Sequence, residues 1–85
     1  MPSWKVIEVE ENFADKLRNG LQPSVAAMKA HVLPFLDQGD MIKFINNEGK
    51  LIALAEITVA SDKISHLDDK LPAAKIIRVF NNINN

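Results

Sequence analysis

The chain contains no cysteine, and it has only three glycines among its 85 residues. Without cysteine it has no disulfide framework, no cysteine-based zinc site and no thiol nucleophile. The glycines lie too far apart for a phosphate-binding loop, and neither glycine-rich nucleotide-binding motif occurs. The lack of cysteine is compatible with a reducing, cytoplasmic environment. These absences remove several classes of catalyst from consideration.

Long apolar runs are also missing. No segment approaches the length that crosses a bilayer, and the N-terminal residues lack the basic and apolar regions of a signal peptide. The 47% hydrophobic and 25% charged content is typical of a soluble globular fold. We therefore predict one small domain over residues 1–85, with a single modest core and a monomeric state.

The groups that catalysis requires are few and scattered. His31 and His66 are isolated, with no carboxylate at metal-ligand spacing on a shared helix. Asp68 and Asp69 are adjacent in a polar segment, which favours a solvated turn over an acid–base pair. No serine lies in a nucleophile motif. The sequence thus predicts that this chain alone is not an enzyme and uses no metal and no cofactor.

The order of the predicted elements indicates the fold class. Apolar and β-branched runs predict strands at 4–9, 41–46, 50–60 and 73–80, and two short helices at 10–19 and 24–31. A turn at 47–49 makes a hairpin of the two middle strands, residues 61–72 form a loop, and residues 81–85 are expected to fray. This order predicts a mainly β, α+β fold, in which a small mixed sheet curls into an open barrel plugged by one or two short helices.

The first helix has a recognisable end. Phe13, Ala14 and Leu17 share one face, which we expect to plug the barrel, and Gly20 suits the left-handed position just after a helix. Lys16 and Arg18 lie in the last turn, where positive charge favours the helix dipole. Ser24 is the predicted N-cap of the second helix.

Charge is distributed unevenly, although the net charge is only −1. No acidic residue occurs between Lys16 and Leu36, and every charged residue after Asp69 is basic. The five aromatic residues, with no tyrosine among them, suggest no platform on which unpaired bases could stack. If nucleic acid binds, we expect a folded duplex held through phosphate and sugar contacts. An ordinary solvated surface remains the alternative.

Three blocks of sequence resemble one protein family. Residues 2–20 (PSWKVIEVEENFADKLRNG) resemble the entry into the C-terminal domain of bacterial tRNA pseudouridine synthases of the TruB type. Residues 35–57 (FLDQGDMIKFINNEGKLIALAEI) are similar to the central block of PUA domains. Residues 72–82 (PAAKIIRVFNN) resemble the basic segment and final strand with which those synthases end. The blocks occur in family order and cover most of the chain.

The resemblance implies a PUA-like pseudobarrel of five or six strands. It also implies that the chain is a fragment, with Met1 added as an initiator and a catalytic domain carrying the Asp nucleophile upstream. The domain would be an accessory RNA-binding module that helps to dock tRNA, near the elbow and acceptor stem, for pseudouridine formation in the T-loop. The RNA-binding residues assigned from the family positions and the basic segments are Lys16, Arg18, Asn19, Gly20, Lys29, Lys75 and Arg78. The sequence departs from the family pattern at 21–34, which includes Lys29, and at 61–72.

Two other functions stay open at this point. The domain could be a structural appendage that packs on the catalytic domain and contributes little RNA affinity. It could also be a PUA-like domain of another RNA-modifying protein.

Overall fold

The computed structural model describes residues 4–31 and 34–80, and the predicted fraying at 81–85 lies outside these residues. Four strands occur in the described part: β1 (Lys5–Glu8), β2 (Met41–Ile45), β3 (Leu51–Ile57) and β4 (Ala74–Val79). The same part contains two α-helices, α1 (Glu11–Arg18) and α2 (Val25–Lys29), and one turn of 3₁₀ helix at Ile64–His66. The predicted elements are therefore present, although β3 ends three residues earlier than expected.

The strands form one mixed sheet in the order β1-β2-β3-β4. β1 runs parallel to β2, and the other two pairs are antiparallel. The described residues thus hold four strands, where the resemblance implied five or six. One further pairing is a single bridge between Ser24 and Pro72. Because Pro72 and the neighbouring Pro23 have no backbone N–H, this pairing does not extend into a ladder.

The core lies between the inner face of the sheet and the two helices. Ile7, Ile42 and Phe44 on the sheet are buried in one cluster with Phe13 and Leu17 of α1. The Phe13 ring meets the Phe44 ring edge-on, with centroids 6.1 Å apart. The predicted plugging face of α1 is confirmed. Phe80, at the end of the predicted strand at 73–80, is half-buried.

α1 ends in a Schellman motif. Asn19 is the C-cap, and Gly20 follows it at φ 94°. The Leu21 N–H donates to the Lys16 carbonyl at 2.9 Å, and the Gly20 N–H donates to the Leu17 carbonyl at 3.0 Å. Two carbonyls of the last turn are thereby satisfied, and the chain turns sharply away from the helix.

α2 is short and is stabilised by hydrogen bonds to residues outside the helix. The Ser24 hydroxyl accepts the Ala27 N–H at 3.2 Å, which confirms the predicted cap. The backbone N–H groups of the next two residues donate to carbonyls of the 61–72 segment: Val25 to Leu71 at 2.8 Å and Ala26 to Asp69 at 3.1 Å. An isolated helix of five residues is unstable, so these bonds and the burial of Val25 and Met28 keep it in place.

Candidate nucleic-acid interface

The segment that follows α1 lies along the strand β4. Gln22 accepts the Ile76 N–H through its side-chain oxygen at 3.0 Å, across 54 residues of sequence. The Pro23 carbonyl accepts the Ala73 N–H at 2.9 Å. The two acid-free segments of the sequence therefore meet along the outer edge of β4. We call this part of the molecule the α1–β4 region; of the predicted RNA-binding residues, it contains Lys16, Arg18, Asn19, Gly20, Lys75 and Arg78.

The two basic residues of α1 differ in what surrounds them. Lys16 is exposed, and no carboxylate of the described residues lies within ion-pair distance of it. Arg18 contacts Asp15 at 2.7 Å and Glu11 at 3.6 Å, and its side chain is 23% exposed. The charge of Arg18 is thus partly neutralised within its own helix. Asn19 and Gly20 are exposed beyond it.

An irregularity in the sheet turns Arg78 outward. Ile76 pairs with Ala55 and Arg78 pairs with Leu54, so β4 has one extra residue, Ile77, between them. Such a bulge reverses the alternation of side chains along the rest of the strand. Lys75 and Arg78 are consequently both exposed, and Val79 is partly buried against the core.

The exposed charges on β4 have different neighbours. The Arg78 guanidinium lies 5.1 Å from the centre of the Phe80 ring, which orders it without neutralising it. Lys75 is opposite Glu56 in the β3–β4 register, and this carboxylate lowers the local positive charge. Arg78 is therefore the cation of β4 that is best placed for a phosphate.

Lys43 is a further basic residue, on the outer face of the sheet, that the sequence reasoning missed. The register places Lys43 on β2, Leu54 on β3 and Arg78 on β4 in one row across the sheet. Two strand spacings separate Lys43 from Arg78 by about 10 Å. Alternation within the β2 sequence MIKFI could have indicated this outward position, because Lys43 lies between the apolar residues Ile42 and Phe44.

Lys29 lies in the last turn of α2. Its ammonium group contacts the Asp69 carboxylate at 2.8 Å, which joins α2 to the 61–72 segment. It also lines a pocket beside Phe35. The structure therefore pairs Lys29 with an acid of the 61–72 segment.

Among the described residues, no cluster of three or more histidine or acidic side chains is arranged to bind a metal ion. Nor is any helix in residues 4–31 and 34–80 long and apolar enough to cross a membrane.

The sequence is similar to part of a known enzyme. No protein-family model matches it. It is 38% identical over 74 residues to tRNA pseudouridine synthase B of Syntrophus aciditrophicus (strain SB). The matched residues make up 87% of this chain but only 24% of that protein, in its C-terminal part.

The fold is similar to solved PUA domains. A conserved PUA domain protein from Thermoplasma acidophilum superposes with a TM-score of 0.66, covering 92% of this chain and 50% of that chain at 21% identity. A chain of the archaeal box H/ACA sRNP Nop10–Cbf5 complex superposes with a TM-score of 0.69, covering 92% of this chain and 25% of that chain at 15% identity. This chain therefore has a PUA-like fold, and its sequence is similar to the C-terminal part of tRNA pseudouridine synthase B.

Proposed function

We propose that this chain is the accessory RNA-binding domain of a tRNA pseudouridine synthase. It helps to dock tRNA near the elbow and acceptor stem while a catalytic domain outside this chain forms pseudouridine in the T-loop. The observation that carries the proposal is the 38% identity over 87% of the chain to the C-terminal part of such an enzyme. Since the chain spans 24% of that relative, the chemistry belongs to the rest of the parent protein. We expect the domain to be monomeric and to act in the cytoplasm, where tRNA is.

The charges of the α1–β4 region, together with Lys43 on the outer face of the sheet, support weak, salt-sensitive binding. Lys16, Arg78 and the newly identified Lys43 have no carboxylate of the described residues within ion-pair distance. Three phosphate contacts give a log–log salt slope of about −2.7, so a fourfold rise in salt lowers affinity roughly 40-fold. Binding by the isolated domain should therefore be detectable only at low ionic strength.

The other predicted residues can contact RNA only after a rearrangement or without a charge. Arg18 reaches a phosphate once it leaves Asp15 and Glu11, and Lys29 once it leaves Asp69. Asn19 offers an exposed amide. Gly20 presents no side chain, so that the RNA backbone can come close to the end of α1.

The proposal is tested by titrating the chain with tRNA at low salt and following the backbone amide signals. We expect shifts to concentrate in the α1–β4 region. Arg78→Glu should weaken binding about tenfold or more, since it reverses a charge near the phosphates. Lys63→Glu is the matched control, because Lys63 is an exposed lysine of the 61–72 segment. Amide shifts scattered over the whole chain, or equal tRNA affinities for the two variants, would contradict the proposal.

The ion pairs of Arg18 favour a second function, that of a structural appendage of the enzyme. In that case Arg18 stabilises α1, and the exposed apolar residues of β1 and β4, Val6 at 48% and Ile77 at 50% exposed, contact protein and not RNA. Arg18→Glu in the full-length enzyme separates the two functions. An unchanged tRNA affinity favours the appendage, and a clear loss favours RNA docking.

A further inference from the structure

Asn19 is followed by Gly20, and no other asparagine of the sequence precedes a glycine. Asparagine is thermally labile, because its side chain can react with the backbone nitrogen of the next residue. A glycine in that position leaves the nitrogen unobstructed, since it has no side chain. Asn19 and Gly20 are both exposed, and a Cβ built on Gly20 would meet no atom within 4 Å. The two reacting groups are therefore adjacent and open to water.

The reaction requires only water besides these two residues. The Gly20 nitrogen loses its proton to solvent and bonds to Cγ of Asn19, the Cγ–Nδ2 bond breaks, and the side-chain amide leaves as ammonia. The product is a five-membered succinimide ring. Water then adds to one of the two ring carbonyls and breaks its bond to the ring nitrogen, which yields aspartate or isoaspartate. One amide is exchanged for one carboxylate, and no oxidant or reductant takes part.

The folded end of α1 holds the reacting groups apart. At a ψ of 8° for Asn19, the Gly20 nitrogen nearly eclipses the Asn19 nitrogen and lies away from the Asn19 Cβ, so the ring cannot close. The Gly20 N–H also donates to the Leu17 carbonyl at 3.0 Å, and the Leu21 N–H donates to the Lys16 carbonyl at 2.9 Å. These bonds must open before the chain can rotate at Asn19. The Schellman motif thus protects Asn19 while α1 is intact.

This protection depends on a part of the helix that opens easily. Helix ends fray, and exposed terminal turns open at a small fraction of the free energy of global unfolding. We propose that Asn19 is a site of spontaneous deamidation, at a rate set by how often the end of α1 opens. The site requires no RNA and no catalytic domain, so it goes beyond the proposed function.

Deamidation changes the end of α1 in two ways. A carboxylate at position 19 adds negative charge after the turn that carries Lys16 and Arg18, where the helix dipole is also negative. Isoaspartate in addition routes the main chain through the former side chain, which moves Gly20 away from the Leu17 carbonyl. If the domain binds tRNA as proposed, affinity should therefore fall severalfold on deamidation.

The test is to age the chain at mildly alkaline pH and to measure deamidation at each asparagine by peptide mapping with mass spectrometry. Asn47 is the matched control, since it is also exposed and lies in a turn. We expect Asn19 to react roughly tenfold faster than Asn47 or more, because the side chain of Glu48 obstructs attack and Gly20 has none. Asn19→Gln should remove the fast release of ammonia, because its longer side chain would have to close a six-membered ring.

Two variants of Leu21 test the protection by α1. Leu21→Pro removes the N–H that bonds to the Lys16 carbonyl, so Asn19 should deamidate severalfold faster. Leu21→Ala keeps this N–H and is the matched control, since the Leu21 side chain is 42% exposed. Equal rates in the two variants would contradict control of the reaction by the end of α1.

Deamidation of Asn19 that is no faster than that of Asn47, or that occurs only after denaturation in urea, overturns the proposal. Both rates are measured without RNA, so this outcome leaves the proposed function intact. Failure of the fresh chain to bind tRNA at low salt overturns the proposed function alone. An aged chain that carries the modification and binds tRNA as tightly as the fresh chain contradicts the predicted effect on the α1–β4 region.

Discussion

At the scale of single residues, Gly20 determines how α1 ends. Its φ of 94° is in the region that residues with a Cβ avoid, and a Cβ added there would meet no atom within 4 Å. The cost of Gly20→Ala is therefore conformational and not steric, and we expect a loss of about 1 kcal/mol in the free energy of unfolding. Urea denaturation of the chain measures it.

The chain is short enough for chemical synthesis, which supplies the control for Gly20. D-Alanine at position 20 adds the same methyl group but prefers positive φ. It should match or exceed the stability of the glycine form, because it also reduces the freedom of the unfolded chain. Equal losses of stability for L- and D-alanine would show that the added methyl group, and not the positive φ, causes the destabilisation.

Protonation of the Asp40 carboxyl at low pH should lower the stability of the fold. The Asp37 N–H donates to Asp40 Oδ2 at 2.9 Å, and Lys5 lies 3.4 Å away. The bond from Asp37 is the largest cause that holds the Asp40 pKa below its ordinary value of 3.8, and Lys5 adds to it. Because the folded pKa is depressed, this stabilisation is present above pH 3.8 and is lost as pH falls through the folded pKa.

A side-chain carboxyl NMR titration measures the Asp40 pKa directly. The midpoint should lie below 3.8 and should rise part of the way back in Lys5→Met, since the bond from Asp37 remains. Asp40→Asn should remove this part of the acid dependence of stability. A midpoint at or above the ordinary value would contradict the hydrogen bond from Asp37.

At the scale of elements, the acidic residues of α1 control how much charge the helix presents. Asp15 neutralises Arg18 at 2.7 Å, and a surface pair of this kind stabilises a protein by about 0.2–1 kcal/mol. Asp15→Asn should lower stability by no more than that amount. It should raise RNA affinity severalfold at low salt, because Arg18 is released toward the phosphate backbone.

Glu48→Gln is the control for Asp15→Asn. It removes the same charge from the exposed end of the β2–β3 hairpin. If both substitutions raise RNA affinity equally, net charge alone is responsible. If Asp15→Asn lowers stability and leaves RNA affinity unchanged, Arg18 is structural and the appendage function gains support.

The sequence predicted those elements whose signals are local. Gly20 ends α1 and Ser24 caps α2 through bonds within five residues, so residue type and spacing were sufficient. The bulge in β4 is different. Strict alternation from Lys75 would place Ile77 and Val79 outward and Arg78 inward, yet the β3 register reverses the last two. No local signal in AAKIIRVF marks that shift.

At the scale of the whole molecule, the candidate site depended on long-range contacts that composition does not encode. The two acid-free segments were visible in the sequence, but the Gln22–Ile76 bond that joins them spans 54 residues. The exposure of Phe35 was equally hidden, since an apolar sequence neighbourhood usually indicates core. It became apparent once Leu36 was seen to anchor the segment and leave the ring outside.

Gln22 provides the last prediction, because it links α1 to β4 without supplying a charge. Gln22→Ala deprives the Ile76 N–H of its acceptor, which should cost about 0.5–1.5 kcal/mol in stability. RNA affinity should fall severalfold as the end of α1 and β4 lose their fixed spacing. The log–log salt slope should stay the same, since every phosphate-binding cation remains.

Gln38→Ala is the control. Gln38 lies in the exposed turn before β2, so its substitution should change neither RNA affinity nor the salt slope. A Gln22→Ala variant that is less stable but binds RNA normally would show that the two basic segments act independently.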